Sequence, residues 1–205
     1  MARVIIDGES ADAAKTLADH ELVARCKAGD EAAFDELVQR HQQRAVNVAF
    51  QLLRNYEDAT EVAQDAFVRI YRSISEFRGE CEFTTWLHQI VVNLAHNKHR
   101  WWQRRGRAQT VSLDATLETG DGAVEFQTPA TGGGPDVEAA QAEFVRTLSA
   151  KMAALPAAFR EVLVLRNVEN LSYEEIAAVQ KCSVGTVKSR IARARDALRE
   201  SMKHE

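Results

Sequence analysis

The pattern of apolar and polar positions predicts helices along most of the chain. From Asp19 onward, apolar residues recur at spacings of three and four, which places them on one face of a helix. The most regular stripe lies between Asp58 and Ile74 and consists of Ala59, Val62, Ala63, Ala66, Phe67, Ile70, Tyr71 and Ile74. This stripe predicts a helix that faces a core, with charged residues on its opposite side. No segment of the sequence is typical of a β-strand.

Breaks in the periodicity mark where the first helices begin and end. A short apolar stripe after Asp19 ends at Gly29, and Asp30 is placed to cap a longer helix. That helix runs to a break at residues 55–58. Another helix begins near Thr84, after a glycine-containing loop bounded by two aromatic residues. We therefore expect four helices before residue 106.

Two segments without helical periodicity divide the chain into domains. Residues 1–17 are expected to form a flexible tail, and residues 106–136, which are rich in glycine, a flexible linker. Asp136 is placed to cap the first helix that follows. The predicted fold class is all-α, with two small helical domains at residues 18–105 and 137–205.

The stretch from Leu171 to Arg199 predicts a helix-turn-helix at the end of the second domain. Ser172 and Glu175 have the spacing of a capping box before a short helix, and Ser183 is placed to cap a second helix. The second helix has one apolar stripe, formed by Val184, Val187, Ile191, Ala194 and Leu198. A short capped helix followed by a longer one is the arrangement that places a recognition helix in the major groove of DNA.

Opposite that stripe, the second helix carries hydroxyl and basic side chains. Small hydroxyls interleaved with Arg and Lys suit base edges and phosphates in a major groove. We predict that the residues facing the groove are Thr186, Lys188, Ser189, Arg190 and Arg193. Phosphate contacts are expected from Lys181, Arg195 and Arg199.

The charge distribution supports DNA binding although the net charge is −4. Residues 83–113 contain no Asp or Glu and five Lys or Arg, and residues 181–203 carry a net charge of +5. Two basic segments therefore lie within an otherwise acidic chain. The local field, rather than the total charge, decides where a polyanion binds.

Other classes of function are less well supported by the sequence. Cys26, Cys81 and Cys182 have neither metal-ligand spacing nor an even disulfide count, which favours a reducing cytoplasm. No apolar run approaches the length of a membrane span, and no glycine-rich phosphate loop or nucleophile–base pair is present. Two alternatives stay open. One is a ligand-sensing transcription regulator with a C-terminal helix-turn-helix; the other is a helical metal-dependent enzyme using His96 and His99.

The order and spacing of several short motifs resemble one protein family. In the first domain these are Asp58-Ala59, Gln64-Asp65-Ala66-Phe67, Phe77-Arg78-Gly79 and Phe83-Thr84-Thr85-Trp86-Leu87. In the second they are Leu155-Pro156, Leu171-Ser172-Tyr173-Glu174-Glu175-Ile176-Ala177 and Val184-Gly185-Thr186-Val187-Lys188-Ser189-Arg190. Together they resemble the extracytoplasmic-function group of bacterial RNA polymerase sigma factors, over residues 20–105 and 137–203. The resemblance implies an alternative sigma factor, without catalysis, metal or cofactor.

The resemblance also implies three sets of contacts. The clamp coiled coil of the largest polymerase subunit would bind the helix from Asp58 to Ile74, through Asp58, Glu61, Gln64, Asp65 and Arg69. The minus-ten element would contact Phe77, Gly79, Cys81, Phe83, Asn93, Asn97 and Lys98, with one base flipped into the loop at residues 77–83. The recognition helix would read the minus-thirty-five element, while the second domain binds the polymerase flap. An anti-sigma factor is a further expected partner.

Overall fold

The computed structural model describes residues 19–105 and 135–203. Within these residues every regular element is a helix, which confirms the all-α prediction. The first helix, α1, covers residues 19–27. The elements that follow are α2 (Glu31–Leu53), α3 (Tyr56–Ser73), a 3₁₀ turn (Ile74–Glu76), α4 (Phe83–Arg104), α5 (Pro135–Ala154), α6 (Ala157–Leu163), a π turn (Val164–Val168), α7 (Tyr173–Gln180) and α8 (Val184–Lys203).

In the first domain, α2, α3 and α4 pack on one another around a shared core. Leu37, Ile70 and Leu87, one from each helix, are fully buried at its centre. The helix starts follow the sequence: the Asp30 carboxylate accepts a hydrogen bond from the Ala33 amide at 3.3 Å, as predicted. Burial of these apolar faces against each other is the main stabilising contribution to the domain.

The second domain ends in the predicted helix-turn-helix. The capping box of α7 is formed, because the Ser172 hydroxyl accepts from the Glu175 amide and the Glu175 carboxylate accepts from the Ser172 amide. The turn passes through Lys181, whose φ of 51° is left-handed. Ahead of α7, residues 160–165 are all buried, and the last two of them begin the π turn.

The break predicted ahead of α3 is wrong by a few residues. Helix α3 begins at Tyr56, because Asn55 caps it, so the break expected at residues 55–58 is shorter. Helix α5 covers Pro135–Ala154, and the predicted cap at Asp136 lies outside the described side chains. The predicted tail at residues 1–17 and most of the predicted linker lie outside the described residues. None of the described helices is both long and apolar enough to cross a bilayer.

Candidate nucleic-acid and polymerase interfaces

Helix α8 is anchored by its apolar stripe and by a cap at its start. Val187, Ile191 and Ala194 are buried against α6 and α7. The Ser183 hydroxyl accepts a hydrogen bond from the Thr186 amide at 3.2 Å, which confirms the predicted cap. One side of the helix is therefore fixed in the domain, and the opposite side faces solvent.

The solvent side of α8 carries basic groups that have no acidic partner within the described residues. Lys188, Arg193 and Arg195 are exposed and form no ion pair there. Lys181 is also exposed at the turn before α8. Arg199 differs, because it pairs with Asp196 at 3.2 Å on the surface. The unpaired bases give this face a positive field that suits a polyanion.

Three further residues of the predicted reading face are held by contacts inside the domain. The Thr186 hydroxyl lies 2.9 Å from that of Ser183, and the Ser189 hydroxyl donates to the Thr186 carbonyl at 2.9 Å. Arg190 donates to the Gln180 side chain at 2.9 Å. These contacts fix the side chains in place, so any base contact by them uses the remaining lone pairs and N–H groups.

The loop before α4 is braced by aromatic contacts. Phe77 stacks on Trp86 with ring centroids 4.5 Å apart, and the Lys27 ammonium donates to the Phe77 carbonyl. Gly79 has a φ of 72°, which favours glycine. Cys81 is half-buried. Phe83 is only 3% exposed and packs in the core beside His41, so its predicted role in DNA contact disagrees with its burial.

The outer face of α4 presents the other residues predicted for the minus-ten element. Asn93 and Asn97 are exposed. The Lys98 ammonium forms ion pairs with two carboxylates, that of Asp58 at 3.0 Å and that of Glu61 at 2.6 Å. Burial by itself would lower the pKa of Lys98, but these two carboxylates outweigh burial and raise it.

The two tryptophans near the end of α4, Trp101 and Trp102, differ in how far they are buried. Trp102 is buried, and Trp101 is half-buried with the Arg105 guanidinium 4.4 Å from its ring centroid. A guanidinium stacked on an indole holds the basic group at the surface. The end of α4 therefore combines bases and aromatic rings.

The outer face of α3 is exposed as predicted for a partner-binding surface. Gln64, Asp65 and Arg69 all face solvent. The sequence analysis missed two apolar members of this face. Val68 is 47% exposed, and Tyr71, which was assigned to the buried stripe, is 53% exposed with only its edge against Phe34. Apolar side chains amid polar ones on an exposed helix are typical of a protein interface.

The two histidines considered as metal ligands are used differently. His96 Nε2 lies 2.6 Å from the Glu161 carboxylate, and the hydrogen bond to that carboxylate raises the pKa of His96. His99 packs near the Trp102 ring. Within residues 19–105 and 135–203, no group of three potential metal ligands comes together.

The domains are joined by three glutamates that sequence analysis did not single out. Glu161 meets His96 as described above, and Glu175 accepts a hydrogen bond from the Thr85 hydroxyl at 2.9 Å. Glu169 is 4% exposed, forms an ion pair with Arg44 and lies 3.1 Å from His88 Nε2. Each glutamate belongs to the second domain and each partner to the first. These three contacts between the domains are polar and charged.

Known families and relatives match both domains of this chain. The family model for sigma-70 region 2 matches residues 37–107, and that for sigma-70 region 4 matches residues 146–198. The RNA polymerase sigma-H factor of Pseudomonas aeruginosa is 36% identical, covering 90% of this chain and 93% of the relative. The ECF RNA polymerase sigma-E factor of Escherichia coli K12 is also 36% identical, covering 89% of this chain and 93% of the relative.

Solved structures show the same fold. CnrH, in complex with the cytosolic domain of CnrY, superposes with a TM-score of 0.65 at 26% identity, covering 92% of this chain and 99% of CnrH. The sigma factor RpoE of Bartonella quintana, in complex with the anti-sigma factor NepR, superposes with a TM-score of 0.61 at 23% identity, covering 84% of this chain and 98% of RpoE.

The fold and its exposed basic helix define a two-domain, helical transcription-initiation protein that recognises promoters. Both domains are matched by sigma-70 family models, and full-length relatives align over most of the chain. The chain belongs to the extracytoplasmic-function group of RNA polymerase sigma factors, and it is an alternative sigma factor that directs RNA polymerase to promoters. Family membership explains both domains, which neither alternative considered from the sequence does.

Proposed function

We propose that three exposed surfaces divide the work of promoter recognition. Helix α8 reads the minus-thirty-five element with Thr186, Lys188, Ser189, Arg190 and Arg193, while phosphates meet Lys181, Arg195 and Arg199. The single observation that supports this most is the row of exposed bases, Lys188, Arg193 and Arg195, over a buried apolar stripe. A rigid helix with one anchored face and one basic face fits the major groove.

The first domain is proposed to bind the polymerase and the minus-ten element on different helices. The outer face of α3 would bind the clamp coiled coil through Gln64, Asp65 and Arg69, together with the exposed Val68 and Tyr71. Asp58 and Glu61 lie at its edge, where they also hold Lys98. The minus-ten surface consists of Phe77, Gly79, Cys81, Asn93, Asn97 and Lys98, from which we leave out the buried Phe83.

Promoter binding also requires the two domains to separate. The centres of the two elements lie about 25 base pairs apart, which is about 85 Å of duplex at 3.4 Å per base pair. A compact chain of 205 residues has a radius of gyration of only about 17 Å. The packed arrangement is therefore too short to contact both elements at once. We infer that the contacts of Glu161, Glu169 and Glu175 break when the polymerase binds.

The remaining partners follow from the family and its relatives. Core RNA polymerase, including its flap, and promoter DNA are the proposed partners of the two domains. CnrH was solved with the cytosolic domain of CnrY and RpoE with the anti-sigma factor NepR, which supports an anti-sigma factor as a further partner. The proposed compartment is the cytoplasm, and the protein is proposed to act by binding rather than by catalysis.

The test compares two arginines of α8 in holoenzyme formed from core polymerase and the full chain. Arg193→Ala should relax the preference at one or two minus-thirty-five positions, because a base contact contributes about 1–3 kcal/mol of discrimination. Arg199→Ala, the matched control, should weaken all promoters evenly and reduce the salt dependence of binding. Binding is measured on single-base promoter variants at two salt concentrations. An even loss with Arg193→Ala would show that another edge of α8 faces the groove.

A further inference from the structure

A cavity of about 330 Å³ lies between the two domains. One wall is apolar and is formed by Leu52, Leu53, Ala95 and Ala157. The other wall is polar and includes His99, Arg100 and Arg160. Its volume is at the lower end of the range for ligand sites, about 300–1,000 Å³.

Arg160 beside this cavity is a buried cation without a counter-charge. It is only 6% exposed, and its Nε has no hydrogen-bond partner. One terminal nitrogen donates to the Ala153 carbonyl at 3.0 Å. A buried cation without an ion pair is unfavourable because it has lost its hydration.

A second arginine increases the positive charge beside Arg160. Arg54 donates to the Ser149 hydroxyl at 2.9 Å and forms no ion pair within the described residues. Burial, and then repulsion by Arg54, lowers the pKa of Arg160, and burial lowers the pKa of Arg54. The positive charge of Arg54 therefore adds to the cost of burying the Arg160 cation.

The carboxylate that lines the cavity does not neutralise these arginines. Glu161 has one oxygen 2.6 Å from His96 Nε2, and its other oxygen accepts from Gln180 at 2.8 Å. Both oxygens of Glu161 are therefore already engaged by side chains other than the arginines. The surplus charge beside the cavity is therefore positive.

We propose that this cavity binds a small organic anion. Its phosphate or carboxylate group would accept hydrogen bonds from Arg160 and Arg100, and its apolar part would lie against the wall of Leu52 and Ala157. Because α4 and α6 belong to different domains, such a ligand contacts both and favours their packed arrangement. Arg100 also donates to the Asn97 side chain, so the site adjoins the surface proposed for the minus-ten element.

Isothermal titration of the full chain, without polymerase or DNA, tests the proposal. The probes are phenyl phosphate and benzoate at equal ionic strength, and benzyl alcohol is the neutral control of similar size. We expect saturable one-to-one binding of one or both anions and none of the alcohol. The relative affinity of the two anions distinguishes a phosphate ligand from a carboxylate ligand.

Substitutions locate the binding site. Ala157→Phe fills the cavity from an exposed helix position and should abolish binding with the fold intact. Arg100→Gln should weaken the affinity by about tenfold, as expected for loss of one hydrogen bond to a charged group. Arg160→Gln should weaken it similarly if circular dichroism shows that it folds. Arg146→Gln, which removes a positive charge from α5 outside the cavity, should leave the affinity unchanged.

Two results would overturn the proposal. One is the absence of saturable binding by both anions at millimolar concentrations. The other is unchanged affinity in Ala157→Phe, which would place the anions elsewhere on the protein. Because Ala157→Phe and Arg100→Gln change exposed positions, the test does not depend on whether Arg160→Gln folds.

Discussion

Glu169 offers the most direct test of the contact between the two domains. It lies at the end of the π turn with its side chain 3% exposed, pairs with Arg44 of α2 and lies 3.1 Å from His88 Nε2 of α4. Arg44 also donates to the Glu169 backbone carbonyl at 3.1 Å. Replacing Glu169 with Gln keeps the shape of the side chain but removes the charge that both partners face.

The expected loss follows from the burial of the three groups. Removing one partner of a buried ion pair costs about 3–5 kcal/mol, because the other charge is left uncompensated. The Arg44 side chain is 34% exposed, so solvent compensates part of its charge. We therefore expect Glu169→Gln to lower the free energy of unfolding by about 2–3 kcal/mol. For a chain of this length, this corresponds to a fall in Tm of about 4–12 °C.

Thermal and urea unfolding followed by circular dichroism would measure this loss. Glu143→Gln is the matched control, since it makes the same chemical change at an exposed position of α5. An Arg44→Gln, Glu169→Gln double-mutant cycle should give a coupling energy between the two sites. If Glu169→Gln changes the stability no more than Glu143→Gln does, the domains are not packed through Glu169 in solution.

The same carboxylate predicts a dependence on acid pH. Burial would raise the pKa of Glu169, but its contacts with His88 and Arg44 outweigh burial and hold the pKa below the usual value of 4.5. A carboxyl group with a depressed pKa stabilises the fold above its unfolded pKa, and this stability is lost as the pH falls through the folded value. The difference in stability between wild type and Glu169→Gln should therefore shrink below about pH 4.5.

Two further predictions concern the polymerase surface and His96. Arg69→Glu should weaken binding to core polymerase by about tenfold or more, because it reverses the charge complementarity of the interface. The control Arg146→Glu on α5 should leave this binding unchanged. Both variants are compared in a pull-down after circular dichroism has shown that they fold, and equal binding would remove Arg69 from the interface. The hydrogen bond to Glu161 raises the pKa of His96 above 6.5, so its stabilising effect is complete below that pH and is lost as the pH rises through the folded pKa. Wild type and His96→Gln should thus converge in urea midpoint as the pH rises from about 6 to about 9, and a constant difference would contradict the assignment.

The local architecture of this protein could be predicted from the sequence because its signals act over three or four residues. The capping box of Ser172 and Glu175, the cap at Ser183 and the apolar stripe of α8 each involve neighbours on one helical turn. The order of motifs then identified the family. Helix boundaries were predicted less well, as at the start of α3, because a cap such as Asn55 competes with other residues nearby.

Which helix face is covered was decided only by tertiary packing. Periodicity placed Tyr71 in the buried stripe, but Tyr71 lies at the solvent edge of α3. The resemblance implied a DNA contact for Phe83, but Phe83 is buried beside His41. When an apolar stripe is wider than the surface of the helix packed on it, the outermost residues of the stripe stay exposed. The sequence does not show how wide the packed surface is.

The contact between the domains was the feature that sequence patterns could not predict. Arg44 and Glu169 are 125 residues apart, and His96 and Glu161 are 65 apart. No helical period relates such positions, because an ion pair between two domains depends on how their surfaces meet in space. The sequence by itself determined the helices, the recognition helix and the family. The tertiary structure alone decided which glutamates join the domains and where the cavity between them lies.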